Sequence, residues 1–218
     1  MTATDIVPVD SVRDIKPGIP GPLLKGLRRI LASQYILTTR EALRPFECDG
    51  LTIYRQVPLI AVLPGNTTEV KAILRLCHEL EIPVVTRGSG TGLSAGALPH
   101  REGLLLVLTR LDQILKIDTD NYLAVVQPGV RNQAISDAVE EFGLFYAPDP
   151  SSQITCSIGG NVAENAGGVH CLKYGLTVHN IARLKLLTGT GEEVILDAAD
   201  NNAGFNFLAL LIGSEGML

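Results

Sequence analysis

Apolar residues recur at helical spacing through residues 21–33, where Leu23, Leu24, Leu27, Ile30 and Leu31 mark one face after an acidic, proline-marked start. A leucine stripe of this period predicts a surface helix docked on the main body. From Pro58 the pattern changes: residues 59–63 form a short apolar run. Asn66 and Glu69 then stand three apart, as in a capping box, ahead of Val70, Ile73, Leu74, Cys77 and Leu80. This predicts a strand followed by an amphipathic helix, which Ile82 and Pro83 stop. Residues 84–86 and 103–108 are continuously apolar enough to be strands buried on both faces. A small parallel βαβ lobe is the expected result.

The second half reads differently. Residues 114–118 and 123–127 flank the turn-forming Thr119, Asp120 and Asn121, which predicts a hairpin and antiparallel pairing. Ala134, Ile135, Ala138, Val139 and Phe142 then line one helical face, with Gly143 placed to close that helix in the left-handed conformation. Residues 181–187 and 193–196 bracket Thr188, Gly189, Thr190 and Gly191 as a second hairpin. A last short helix is expected over residues 203–212, with Phe205, Leu208, Ala209 and Ile212 packed in the core. No internal repeat or low-complexity tract interrupts the series.

Composition narrows the function classes. With 218 residues, 46% apolar and 19% charged, the chain has the balance of a globular protein and the length of one cofactor-binding unit, at roughly 100–200 residues per domain. A net charge of −5, with no basic cluster longer than Arg28-Arg29, gives no footprint for nucleic acid. No apolar run approaches the ~20 residues of a membrane helix, so neither export nor a membrane span is expected. Cys48, Cys77, Cys156 and Cys171 show no CxxC spacing and read as reduced cytosolic thiols. His78, His100, His170 and His179 lack metal-ligand spacing, so no metal site is expected. Arg131, Lys173, Arg183 and Lys185 read as solvated charges, although Lys173 and Tyr174 lie near enough to a glycine pair for a ligand contact.

Two segments have the composition of ligand loops. Residues 87–96, RGSGTGLSAG, follow a buried strand and hold four glycines and three hydroxyls. Glycine lets backbone N–H groups approach a ligand and point at phosphate oxygens, and Ser89 and Thr91 add hydroxyls, so a pyrophosphate is the natural guest. The register is GxGxG, not GxGxxG, and the lysine of a Walker loop is missing. A nicotinamide-dependent Rossmann enzyme would also want an acidic residue about 20 positions on; Asp112 stands near there, but the loop register opposes that reading. The second segment joins residues 147–152, APDPSS, to residues 157–168, SIGGNVAENAGG. Rigid prolines and small residues suit a loop lying flat against a planar ring, and Gly159, Gly160 and Asn161 offer donors near a helix start. A plain surface loop would fit the polarity but not the interleaved Ile154, Ile158, Val162 and Val169.

The ordered motifs RGSGTGLSAGALP, QPGVRNQAISDAV, APDPSSQITCSIGGNVAENAGGVHCLKYGLTVHN and GSEGML resemble the family of FAD-linked glycolate oxidase subunits. That family lies within the flavoprotein superfamily of vanillyl-alcohol oxidase and p-cresol methylhydroxylase. The likeness runs from about Pro45 to Leu218. It implies an α+β fold: a two-lobed FAD-binding domain of the p-cresol methylhydroxylase type, with a small parallel βαβ lobe and a larger, mainly antiparallel one. Residues 1–45 would be an N-terminal helical segment, and 46–218 an FAD-binding domain truncated at its C-terminal end, with the substrate domain absent.

By the same resemblance, Arg87, Gly88, Ser89, Gly90, Thr91 and Gly92 would hold the pyrophosphate. Asp149, Pro150, Ser151 and Ser152 would run beside the isoalloxazine ring. Gly159, Gly160, Asn161, Glu164, Asn165, Ala166 and Gly167 would line more of the cofactor, with Glu215 and Gly216 near the adenosine end. Some superfamily members attach flavin through a histidine in the first loop; Thr91 stands in that place, so noncovalent FAD is implied, with His100 on the surface.

The implied chemistry is flavin-dependent oxidation of a 2-hydroxy acid, glycolate to glyoxylate first among the candidates. The substrate's α-carbon passes a hydride to the flavin while a base takes the hydroxyl proton. The base and carboxylate-binding groups belong to the missing C-terminal domain, so the fragment alone is expected to be inactive. Companion FAD-domain and iron–sulfur subunits are implied partners, with a cytoplasmic location, or one peripheral to the inner membrane through those partners. A D-lactate dehydrogenase-like flavoprotein, a reductase of the cell-wall precursor pathway and a non-catalytic FAD-binding scaffold are the competing readings.

Overall fold

The computed structural model describes residues 18–199 and 204–217. The chain divides into two compact units, one running through Leu108 and including Gly189–Gly191, the other Thr109–Thr188 with the residues from Glu192 onward.

In the first unit, strands β1 (Ile36–Leu37), β2 (Ile60–Val62), β3 (Val84–Arg87) and β4 (Leu104–Val107) form a sheet ordered β1-β2-β4-β3. Strands β2, β4 and β3 run parallel, and β1 adds antiparallel to β2. Helix α1 (Gly21–Ile30) precedes the sheet, α2 (Arg40–Leu43) follows β1, and α3 (Thr67–Glu79) carries the chain from β2 to β3. The expected parallel βαβ lobe is present. Burial on both faces holds for β2 and β4, whose residues are buried throughout. It fails for β3, because β4 inserts between β2 and β3 and leaves β3 at the sheet edge with Thr86 exposed. Leu43, Ala61, Leu105 and Val107 form a core cluster, flanked by Leu37, Phe46, Val57 and Val85.

The cap of α3 shows how sequence sets an element. Asn66 Oδ1 accepts the Glu69 N–H at 2.9 Å, as a capping residue should. The returning half of the box falls one residue early: Glu69 Oε2 accepts from the Gly65 N–H at 2.6 Å. Asn66→Ala is expected to cost about 1 kcal/mol, measurable as a lowered midpoint in chemical denaturation. The leucine stripe of α1 is core packing, as its period predicts: Leu23 and Leu27 are fully buried. At Gly26 the helix approaches α3 so closely that a Cβ would lie 2.6 Å from Leu76 Cδ2.

In the second unit, β5 (Ile114–Asp118) and β6 (Leu123–Val126) pair antiparallel, as do β7 (Arg183–Leu187) and β8 (Glu193–Asp197). Asp118 Oδ1 closes the first turn by accepting the Asn121 N–H at 3.2 Å. Arg183 and Lys185, expected as solvated charges, pair across the second hairpin with Asp197 and Glu193. Both basic side chains stay largely exposed, so these pairs add little stability.

Helices α4 (Asn132–Asp137), α5 (Ile158–Glu164), α6 (Cys171–Tyr174) and α7 (Phe207–Leu211) complete the unit. Val130, Ile135 and Ile158 form its described core cluster, with Ile114, Val126 and Tyr146 packed against them. The helix expected to continue to Phe142 stops at Asp137, giving way to a 3₁₀ turn at Glu140–Phe142. Phe142 is half exposed, so the outer end of that face has little to bury. Gly143 does take the left-handed conformation, at φ 69°. Of the residues expected to pack from the last helix, Leu208 and Ile212 are buried but Phe205 and Ala209 are exposed; the helix itself starts only at Phe207, and Ala203 lies outside the described residues. Among the described residues no helix is long and apolar enough to cross a membrane.

Candidate functional site

Strand β3 ends at Arg87, and the glycine-rich segment begins at once. None of the N–H groups of Gly88, Ser89, Gly90, Thr91 and Gly92 has a hydrogen-bond partner among the described residues. Half-buried backbone donors are normally paired, so five successive open ones mark a surface made to receive acceptors.

Arg87 itself turns inward and is buried. Its Nη1 donates to the Cys48 carbonyl at 2.8 Å, and its guanidinium lies 5.7 Å from the centre of the Phe46 ring. Burial lowers its pKa while the Asp49 carboxylate opposes that shift, and the group remains a cation. Gly90, at φ +71°, crosses directly over this guanidinium: a Cβ there would fall 2.2 Å from Arg87 Nη2. Gly50 closes from the other side, where a Cβ would meet the Gly92 and Thr91 carbonyls at 2.7 and 2.8 Å. Asp49 Oδ1 accepts the Leu51 N–H at 2.9 Å, while the buried Oδ2 has no hydrogen-bond partner among the described residues. The loop thus rests on a bed of Cys48, Asp49, Gly50 and Arg87, and of these only Arg87 is legible from the motif.

The second small-residue segment is built differently. Ser157 caps α5, its Oγ accepting the Gly160 N–H at 3.4 Å, and the Gly159 N–H donates to the Pro128 carbonyl at 2.8 Å. The donors expected to face a cofactor from Gly159 and Gly160 are therefore engaged internally. This corrects that part of the loop reading, because the N–H groups that the first turn of α5 leaves open are taken up by the Pro128 carbonyl and the Ser157 cap. Asn161 is buried, with its amide inside a protein network. Asn165 ends α5 in the left-handed conformation at φ 49°, and its Oδ1 accepts the Val178 N–H at 3.0 Å. The Ala166 carbonyl accepts from Thr177 Oγ1 at 2.7 Å, and a Cβ on Gly167 would meet Leu176 Cδ2 at 2.5 Å. Of the interleaved apolar residues only Ile158 is buried; Ile154 and Val169 are exposed.

Within the second unit the structure nonetheless brings the expected residues together. The Gly213 and Glu215 N–H groups donate to the Val162 and Ala163 carbonyls, both at 2.8 Å, which seats Glu215 at the end of α5, with Gly213 against Asn165. Asp149 is clasped by the chain beyond Ala166: its carboxylate accepts the His170 N–H at 3.3 Å and lies 2.5 Å from His170 Nδ1. At Gly168 a Cβ would fall 2.1 Å from the Asp149 carbonyl oxygen. Beyond Asp149, the Pro150 and Ser152 carbonyls accept the Gln153 and Cys156 N–H groups, both at 2.8 Å, so the loop is a run of tight turns. Lys173 Nζ stands 4.7 Å over the Tyr174 ring, and Glu164 is exposed on α5. Among the described residues no group of three or more metal-ligating side chains is assembled.

The hydrogen bond from His170 holds the Asp149 carboxyl below its ordinary pKa. A carboxylate with a depressed folded pKa contributes stability above its unfolded pKa and loses that contribution as pH falls through the folded value. The clasp is therefore intact at neutral pH and releases only below the usual aspartate range. Carbon-13 NMR of the carboxyl should show a low midpoint for Asp149 that moves up toward the free-aspartate value in His170→Ala; an unmoved midpoint would contradict the clasp.

A family model for the FAD binding domain matches residues 58–197. The chain is 59% identical over 198 residues to glycolate oxidase subunit GlcD of Escherichia coli K12, covering 90% of this chain and 40% of that protein. It is 37% identical over 191 residues to a D-lactate dehydrogenase of Anaerostipes hadrus, covering 86% of this chain and 40% of that protein. Among solved structures, alkyldihydroxyacetonephosphate synthase superposes with a TM-score of 0.83 at 21% identity, over 100% of this chain and 42% of the other. The chain thus spans about two-fifths of the length of these proteins.

Proposed function

Because the chain belongs to the FAD binding domain family, we propose that it forms the noncovalent flavin-binding part of a 2-hydroxy-acid oxidoreductase whose full-length reaction is glycolate to glyoxylate. The observation that carries this reading is the run of five open N–H groups from Gly88 to Gly92, set on a rigid bed at the end of a parallel strand. Such a run fits the pyrophosphate that distinguishes FAD from simpler flavins.

In this proposal the loop amides, with the Ser89 and Thr91 hydroxyls, bind the two phosphates. Arg87 acts from beneath as a brace that fixes the curvature of the loop. Asp149, Pro150, Ser151 and Ser152 present a stiff edge beside the ring. Gly159, Gly160, Asn161, Glu164, Asn165, Ala166 and Gly167 form the wall behind that edge, and Glu215 and Gly216 the adenosine end. When bound, FAD supplies the two-electron acceptor for oxidation of the hydroxy acid. The base and the cation for the substrate carboxylate are assigned to the remainder of the full-length protein, and the 218-residue piece alone is expected not to turn over.

Glycolate is favoured over D-lactate by the higher identity to the glycolate oxidase subunit, 59% against 37%. Assembly with companion FAD-domain and iron–sulfur subunits, in the cytoplasm or held at the inner membrane by them, follows the same reading. Anaerobic addition of glycolate to the full-length, flavin-loaded protein should bleach the flavin absorption, faster than D-lactate does. A faster response to D-lactate would shift the assignment to a D-lactate dehydrogenase, and no bleaching by either would support a non-catalytic flavin scaffold.

A further inference from the structure

We infer that Asn132 is a positioning residue whose side-chain amide sets the course of the Pro148–Asp149 peptide, and through it the segment proposed to lie beside the flavin ring. The inference rests on that reading of the segment. Asn132 is only 1% exposed, and both hydrogens of its amide are engaged. Nδ2 donates to the Pro148 carbonyl at 3.0 Å and to Asn161 Oδ1 at 2.9 Å. Its own backbone N–H donates to the Cys156 carbonyl at 3.0 Å. The start of α4, the proline loop and α5 therefore meet on one residue.

Two physical facts give this amide leverage. Pro148 is buried, and a buried carbonyl without a donor costs about 1–3 kcal/mol, so the loop is held where Asn132 can reach it. The peptide group is planar, so fixing the Pro148 oxygen fixes the orientation of the whole Pro148–Asp149 unit. His170 restrains Asp149 from the exposed side. Asn132 is the restraint from the core, and its partner Asn161 is locked in turn by Nδ2 donating to Cys156 Sγ at 3.3 Å. A residue chosen only to fill space would not present two donors to two oxygens in separate segments.

The same chemical substitution on either side of the Asn132–Asn161 bond separates positioning from general damage. Asn132→Asp removes both donors and turns a carboxylate toward two acceptors. Asn161→Asp buries an equal charge but leaves an acceptor facing Asn132, whose bond to Pro148 survives. Amide hydrogen exchange at Gln153, Thr155 and Cys156 in the unliganded chain should rise at least tenfold in N132D and less than threefold in N161D. With FAD bound, N132D should shift the visible flavin bands and weaken binding about tenfold, a larger change in both than N161D produces. If N132D does not fold, Asn132→Ser, which keeps one donor, should show the same changes at reduced size. Equal exchange in the two aspartate variants, or faster exchange with an unchanged flavin spectrum, overturns the inference. A wild-type chain that takes up no flavin would refute the reading of the segment, while the exchange comparison would still decide whether Asn132 positions the loop.

Discussion

Gly168→Ala is expected to produce the largest single loss of stability of any glycine substitution in the second unit. An alanine Cβ would fall 2.1 Å from both the carbonyl oxygen and Oδ1 of Asp149, closer than any real contact, and the obstructing atoms include rigid backbone. Overpacking of this kind costs about 1–3 kcal/mol and more where the backbone must shift. At about 3 kcal/mol the thermal midpoint should fall by roughly 6–12 °C in a chain of this size. Because the shift would fall on Asp149, the His170 clasp should open as well, and the Asp149 titration should move toward the free-aspartate value. Gly189→Ala, with nothing within 4 Å of its Cβ, is the matched control and should be near neutral.

Gly90→Ala should combine a loss of stability with a loss of flavin affinity. The residue sits at φ +71°, where a non-glycine residue pays about 1–2 kcal/mol, and its Cβ would meet the Arg87 guanidinium at 2.2 Å. The guanidinium cannot swing aside cheaply, because it is buried and bonded to the Cys48 carbonyl. The loop must lift instead, which misdirects the row of N–H groups. Calorimetry should show stability lowered by about 2–4 kcal/mol, and FAD titration an affinity at least tenfold weaker. Riboflavin, which has no phosphate, should bind equally to the variant and the wild type. A uniform loss for both ligands would mean that the loop does not address the phosphates.

These two glycines also show what the sequence could and could not reveal. The parallel lobe was legible because its determinants are local: the continuous apolar runs of β2 and β4 and the cap at Asn66 each lie within a few residues. The edge position of β3 was not, because strand order is set by pairing between residues far apart in the chain. The first glycine loop announced itself by composition, whereas its bed did not. Asp49 and Gly50 lie some forty residues upstream with no motif around them. In the second segment the small residues were visible, but composition could not distinguish glycines that face a ligand from glycines that let segments pack closely. Ser157 before an apolar residue was a readable helix-start signal, and it would have placed Gly159 and Gly160 inside α5. Asn132 carried no local signal, because its partners lie 16 and 29 residues away.

In the proposed site the open N–H groups from Gly88 to Gly92 bind the pyrophosphate of FAD. Residue-resolved amide NMR of the chain, titrated with FAD and separately with riboflavin, tests this most directly. These five amides should show large downfield shifts and slowed exchange with FAD and little change with riboflavin. Saturating FAD that leaves all five amides unmoved would contradict this.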